Sequence, residues 1–233
     1  MDDMILTRTP TANRPLLGLT VLVVEDSRFA CEAMRLLCQR SGARIRRADS
    51  LQHARRHLAV YRPSVVLVDV GLPDGCGLDL ISALAQATPR IDVILGISGD
   101  TTVQDDVTSA GADGFIPKPI SNLAAFQSAI LKHLPLDRQP PGPRVVTDEM
   151  VNPDLMAFQD DLHHIAQVLE NADSNIDYVT QFLGGVARCA KDKALGTAVK
   201  NLADLRTTGH DLAPGRIALS NLVQKRLSAA GPL

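Results

Sequence analysis

Short β-branched runs without polar alternation occur at Thr20–Val24, Val65–Val68 and Ile91–Leu95. That pattern marks strands covered on both faces. Between them, apolar positions recur at helical spacing in Phe29–Leu37, Leu51–Leu58, Leu78–Leu84 and Leu123–Leu134, with stops at Gly42 and Thr88-Pro89. Two weaker strands are predicted at Arg44–Ala48 and Gly114–Ile116. The alternation predicts an α/β fold: a doubly wound, five-stranded parallel sheet with helices on both faces. After residue 150 only the helical period remains. Leu155, Phe158, Leu162, Ile165 and Leu169 form one stripe, and Ile176, Val179, Phe182, Val186 and Cys189 a second. Leu195, Val199, Leu202 and Leu205 form a third; after a break at Gly209–Gly215, Ile217, Leu219, Leu222 and Leu227 make a shorter last helix. Such stripes predict a small all-α antiparallel bundle, open to completion by dimerisation.

Two composition breaks divide the chain. Residues 1–18 are polar, carry Pro10 and Pro15, and read as a tail. Residues 135–144 hold four prolines and a glycine. That composition favours extended backbone, so 135–149 reads as a semi-rigid linker holding residues 19–134 apart from a helical unit at 150–233. Across 233 residues, 24 basic side chains face 26 acidic ones and aromatics are 3%, which excludes a basic nucleic-acid coat and base-stacking platforms. Cys31, Cys38, Cys76 and Cys189 lack metal spacing and read as free thiols. No apolar run is long enough to span a bilayer and no signal-peptide layout opens the chain, so a soluble, cytoplasmic protein without membrane contact is expected.

In a doubly wound sheet, ligands bind beyond the carboxyl ends of the strands. The first strand ends in Glu25-Asp26, the third in Asp69 followed by Val70-Gly71-Leu72-Pro73-Asp74-Gly75, the fourth in Ser98-Gly99 and the fifth in Phe115-Ile116-Pro117-Lys118-Pro119. Three carboxylates, a hydroxyl and an ammonium would share one crevice. Packed carboxylates repel unless a cation sits among them, and oxygen ligands suit Mg²⁺. Lys118 and Ser98 are expected at the rim of this site.

This ordered set resembles the receiver domain of two-component response regulators, a flavodoxin-like fold, over residues 19–134. The resemblance implies that Asp69 accepts a phosphoryl group from a histidine kinase or phosphotransfer protein. It implies that Asp26, Asp69 and the Gly71 carbonyl hold Mg²⁺, with Glu25 acting through a bound water. Lys118 would pair with the phosphoryl oxygens, Ser98 would hydrogen-bond one of them, and Phe115 would be the switch aromatic that follows Ser98. Lys118-Pro119 is often a cis peptide in this family. Gly71, small for its place two positions after the acceptor, would let water reach an acyl phosphate.

The helical half is read as an output module acting through proteins. Its eight basic side chains face nine acidic ones, which argues against DNA as a partner. A DNA-binding regulator, with Gly209–Leu227 as a faint helix-turn-helix, is one alternative. A fused phosphotransfer or phosphatase module is another: His163 and His164 would point away from the bundle core as phosphoacceptors must. Asp177 and Gln181 share one helix face at a spacing that one class of receiver phosphatases uses. His210 precedes Pro214, expected to break the helix a phosphotransfer histidine needs.

Overall fold

The computed structural model describes residues 9–142, 147–171 and 175–229. Five strands, β1 Thr20–Val24, β2 Arg44–Ala48, β3 Val65–Asp69, β6 Val93–Ser98 and β7 Gly114–Pro117, form one sheet. They lie in the order β2-β1-β3-β6-β7, all parallel. A small hairpin, β4 Gly71–Leu72 with β5 Gly75–Cys76, follows the central strand. Helices α1 Arg28–Ser41 and α5 Leu123–Leu131 cover one face, while α2 Leu51–Val60, α3 Gly77–Gln86 and α4 Gln104–Ser109 cover the other. Every residue of β3 is buried, as an apolar run without alternation requires. Val65 and Leu67 pack under Met34, Leu37, Phe126 and Ile130, and Val66 and Val68 under Leu51, Ile81 and Val107. Each such burial stabilises by about 1.5–3 kcal/mol.

The helix ends follow local chemistry. The Ser27 hydroxyl accepts from the Ala30 amide at the start of α1, and Gly42 ends it with φ 87°, donating to the Cys38 and Gln39 carbonyls. Helix α4 escaped the periodicity reading because only Val107 of its six residues is buried. Gly96 on β6 lets that valine approach: a Cβ there would lie 2.4 Å from Val107 Cγ1.

Four helices form the C-terminal half: α6 Leu155–Glu170, α7 Ile176–Cys189, α8 Lys193–Thr207 and α9 Ala213–Ala229. Each packs on the next and α6 closes on α9, so the stripes bury against one another around Leu162, Ile165, Val179, Leu183, Leu195, Leu202 and Leu219. The last helix is not short. It runs 17 residues, with Pro214 in its first turn, where no intrahelical amide is needed. Leu155, the first residue of α6, and Ile217, on the face opposite Leu219, stay exposed at 70% and 62%.

Two boundaries differ from expectation. Leu16, placed in the tail, is fully buried, its amide donating to the Ser41 carbonyl. Beyond residues 143–146 of the linker, which lie outside the described residues, the chain returns to the α/β half. There the Leu123 amide donates to Glu149 and the Val151 amide to Ser121, both at 2.8 Å, with Val151 buried. The halves are not held apart. Helices α6 and α7 pack directly on α1, with the Phe158 ring edge-on to Phe29 at 5.7 Å.

Candidate functional site

The order β2-β1-β3 reverses direction between β1 and β3, which opens a crevice at their carboxyl ends. Glu25 and Asp26 leave β1, Asp69 ends β3, and one carboxylate oxygen from each lies within 4.8 Å of the other two. Lys118, just beyond β7, places Nζ 2.6 Å from Glu25 Oε2 and 2.9 Å from Asp69 Oδ2. Burial and the neighbouring carboxylates push Glu25 up to about 8, and burial with Asp69 beside it pushes Asp26 up to about 7. Burial opposes the charge on Lys118, but Glu25 and Asp69 outweigh it and raise the ammonium well above the usual lysine range. Once ionised, three carboxylates on one ammonium leave negative charge uncompensated.

The donor set fits a small divalent cation. All three groups are hard oxygen ligands, and buried Glu25 Oε2 accepts no well-aligned hydrogen bond beyond its ion contact with Lys118. Lys118 and Ser98 do not sit at the rim: the lysine side chain is 8% exposed and Ser98 3%. Both are carried on strand ends that β3 and β6 bury, so the ammonium reaches inward. The Ser98 hydroxyl accepts from the Asp100 amide at 3.1 Å. Phe115 is half-buried against the α2–α4 face. Lys118-Pro119 is cis. Asp74, part of the motif after β3, accepts from the Leu51 and Gln52 amides at 2.8 and 2.9 Å, which caps α2 and anchors the loop.

The helical half completes the walls. A cavity of about 850 Å³ is lined by Glu25, Asp26, Asp69, Ser98 and Lys118 below and by Gln181 and Arg188 of α7 above. The Tyr178 hydroxyl donates to Asp26 Oδ2 at 2.9 Å. Its oxygen accepts from His164 Nε2 at 3.1 Å, since its one proton is already given to Asp26. Burial pulls His164 below the usual imidazole range, consistent with a neutral ring protonated on Nε2. Side chains of α7 lie over the loop glycines: a Cβ on Gly71 would meet Gln181 Nε2 at 1.6 Å, and one on Gly99 would meet the Arg188 guanidinium at 1.8 Å.

Other predicted residues are dispersed. His163 Nδ1 faces its own helix at the Gln159 carbonyl, 3.0 Å away. Asp177 does not join Gln181 at the acidic site but pairs with Arg206 at 3.4 Å. His210 lies between α8 and α9, ahead of Pro214. Cys31, Cys38, Cys76 and Cys189 are free, with burial pushing Cys38 up to about 12 and Cys189 up to about 11. Among the described residues no helix is long and apolar enough to cross a membrane.

Tyr178 and Arg188 were not anticipated as parts of this site, nor was Asp161 of α6, which accepts from the Ser27 hydroxyl beside it at 2.7 Å. Asp161 left one signal. It falls on the stripe Phe158, Asp161, Ile165 at spacings of three and four, an acid where the pattern wants an apolar residue.

The family model for the response regulator receiver domain matches residues 21–130. Residues 21–130 are a response regulator receiver domain. The chain is 30% identical over 99 residues to the KDP operon transcriptional regulatory protein KdpE of Escherichia coli (strain K12), covering 42% of this chain and 44% of that protein. It is 31% identical over 116 residues to the virulence transcriptional regulatory protein PhoP of Salmonella typhimurium (strain 14028s / SGSC 2262), covering 48% and 51%. The chain thus spans about half the length of the curated relatives it matches. A CheY-like receiver domain from Methylobacillus flagellatus aligns at 23% identity and TM-score 0.45, covering 49% of this chain and 97% of that one. The expectation that DNA is not a partner gains no support from KdpE and PhoP, both transcriptional regulators.

Proposed function

We propose that the chain is a response regulator of a two-component phosphorelay, that Asp69 accepts the phosphoryl group from a histidine kinase or phosphotransfer protein, and that the helical half acts by protein contact. The observation that carries this is Lys118 bridging Glu25 and Asp69 in a buried acidic cluster at the β1/β3 crevice of a receiver domain. In the transfer, a carboxylate oxygen of Asp69 bonds to phosphorus as the bond from phosphorus to the donor's imidazole nitrogen breaks. The bonding pair leaves with the imidazole, and Asp69 becomes an acyl phosphate. Asp26, Asp69 and the Gly71 carbonyl are assigned to hold Mg²⁺, with Glu25 behind a water; the ion would supply charge neutralisation for the transferring group. Lys118 stays with Asp69 and pairs with a phosphoryl oxygen. Ser98 offers its hydroxyl to another, and Phe115 follows it. Localisation in the cytoplasm accords with these roles.

Electrospray mass spectrometry after incubation with acetyl phosphate and Mg²⁺ tests the assignment. Wild type gains one phosphoryl mass and Asp69→Asn gains none; equal labelling removes Asp69 as acceptor. The second reading, a DNA-binding regulator, draws on the transcriptional role of KdpE and PhoP. A salt-dependent gel shift with duplex DNA would favour it.

A further inference from the structure

Among the described residues of the helical half, Asp161 is the buried carboxylate, 2% exposed, and its side-chain hydrogen bonds cross to the receiver. It accepts from the Ser27 hydroxyl at 2.7 Å, the Arg28 amide at 2.8 Å and the Phe29 amide at 3.1 Å. Those donors follow Asp26 directly in sequence. The first amides of a helix lack intrahelical acceptors, and α1 carries no acid in its own first turn. Asp161 therefore caps α1 from the other half of the molecule. Helix α7 makes the second crossing, where Tyr178 donates to Asp26 Oδ2 with His164 behind it. The two crossings fix the helical half to consecutive residues of one acidic loop.

This docking opposes the chemistry proposed above. An oxygen of Asp26 given to a hard cation is drawn toward the ion, while the phenol holds Oδ2 toward α7. A donor must also bring its phosphorus to about 3–3.5 Å from Asp69. The cavity of about 850 Å³ under α7 admits a small acyl phosphate. A histidine borne on a helix, about 10–12 Å across with its side chains, needs the space α7 fills. We propose that the helical half is an internal latch on the acceptor site, in which Tyr178 competes with a divalent cation for Asp26 and loading the site with cation loosens the Asp161 cap on α1. This rests on the cation site proposed above. The latch makes the helical half the receiver's resting partner, displaced when the site is filled.

Calorimetric titration of the full chain with MgCl₂ at pH 7.5 tests the competition, using wild type, Tyr178→Phe and Asp26→Asn. Removing a hydrogen bond to a charged group worth about 1.4 kcal/mol corresponds to about tenfold in affinity. Tyr178→Phe should bind Mg²⁺ about tenfold more tightly than wild type, and Asp26→Asn should not bind. Equal affinities, or weaker binding by Tyr178→Phe as expected of a tyrosine that orients a ligand, overturn the latch and leave the cation site standing. No binding by either wild type or Tyr178→Phe overturns both. Amide hydrogen exchange at Arg28 and Phe29 gives a second reading on wild type alone. Saturating Mg²⁺ should speed exchange at both amides, as should Asp161→Asn without Mg²⁺. Exchange rates that Mg²⁺ leaves unchanged overturn the coupling.

Discussion

The two halves bury polarity in opposite ways. The receiver gathers Glu25, Asp69, Ser98 and Lys118 inside the strand ends, where they face one another. Among the described residues of the helical half, Asp161 is the one buried polar side chain, and it faces the receiver. A parallel sheet sends every strand end to one edge, so polar residues there converge. A bundle closes its stripes on an apolar axis, so a polar residue on a stripe must find its partner outside. The buried charges of the receiver thus answer one another, while the one of the helical half answers its neighbour.

Breaking the receiver's buried charges should have the largest effect. Lys118→Ala leaves Glu25 and Asp69 without their shared ammonium, and removing one partner of a buried pair costs about 3–5 kcal/mol. A rim lysine would be replaced at little cost; this one is not at the rim. Urea denaturation at pH 8 should show that loss, and at pH 6 a smaller one, because a protonated carboxyl no longer needs a cation. A loss under about 1 kcal/mol at pH 8 would place Lys118 outside the buried network.

The same acids set a pH dependence. Glu25 is raised to about 8 and Asp26 to about 7, both above their unfolded values of 4.5 and 3.8. Between roughly pH 4 and 8 the folded chain binds more protons than the unfolded one, so stability falls as pH rises through that window. Without divalent cations, the denaturation free energy should drop from pH 5.5 to pH 8 by on the order of 2 kcal/mol. Mg²⁺ should restore most of it at pH 8 and little at pH 5.5, with affinity rising across the interval. A flat profile without Mg²⁺ would mean that the acids are solvated.

How far this division could be read from residues depends on the kind of signal. The sheet was legible because β1 and β3 are uninterrupted apolar runs. The acidic set was legible because its members sit at strand ends, which topology brings together. Helix α4 was not, since one buried residue makes no period. The docking of the halves was not either: a proline-rich stretch reads as a spacer, whereas Glu149–Val151 pairs back onto Ser121 and Leu123 and turns the chain toward the receiver. Tyr178 carries no periodic mark, being a polar-tipped residue beside a stripe. Gln181 was noticed for its spacing from Asp177, but that pair divides, one side chain toward Gly71 and the other to Arg206.

The smallest expected effect draws the boundary between the halves most finely. A Cβ on Gly77 would lie 2.0 Å from the Asp69 carbonyl oxygen, which is receiver backbone and cannot yield. A Cβ on Gly71 would lie 1.6 Å from Gln181 Nε2, the far end of an exposed, flexible side chain belonging to α7. Similar hollows therefore differ in what must move. Gly77→Ala should cost about 2 kcal/mol or more in urea denaturation, as overpacking against fixed backbone does. Gly71→Ala should cost less than about 0.5 kcal/mol, as surface changes do, and should still take a phosphoryl mass from acetyl phosphate. Its trace should be a faster exchange of the Arg28 and Phe29 amides, because displacing Gln181 disturbs the seat of α7 on the receiver. A cost for Gly71→Ala matching that of Gly77→Ala would mean that Gln181 is as fixed as backbone, and that the contact between the halves is part of one continuous core.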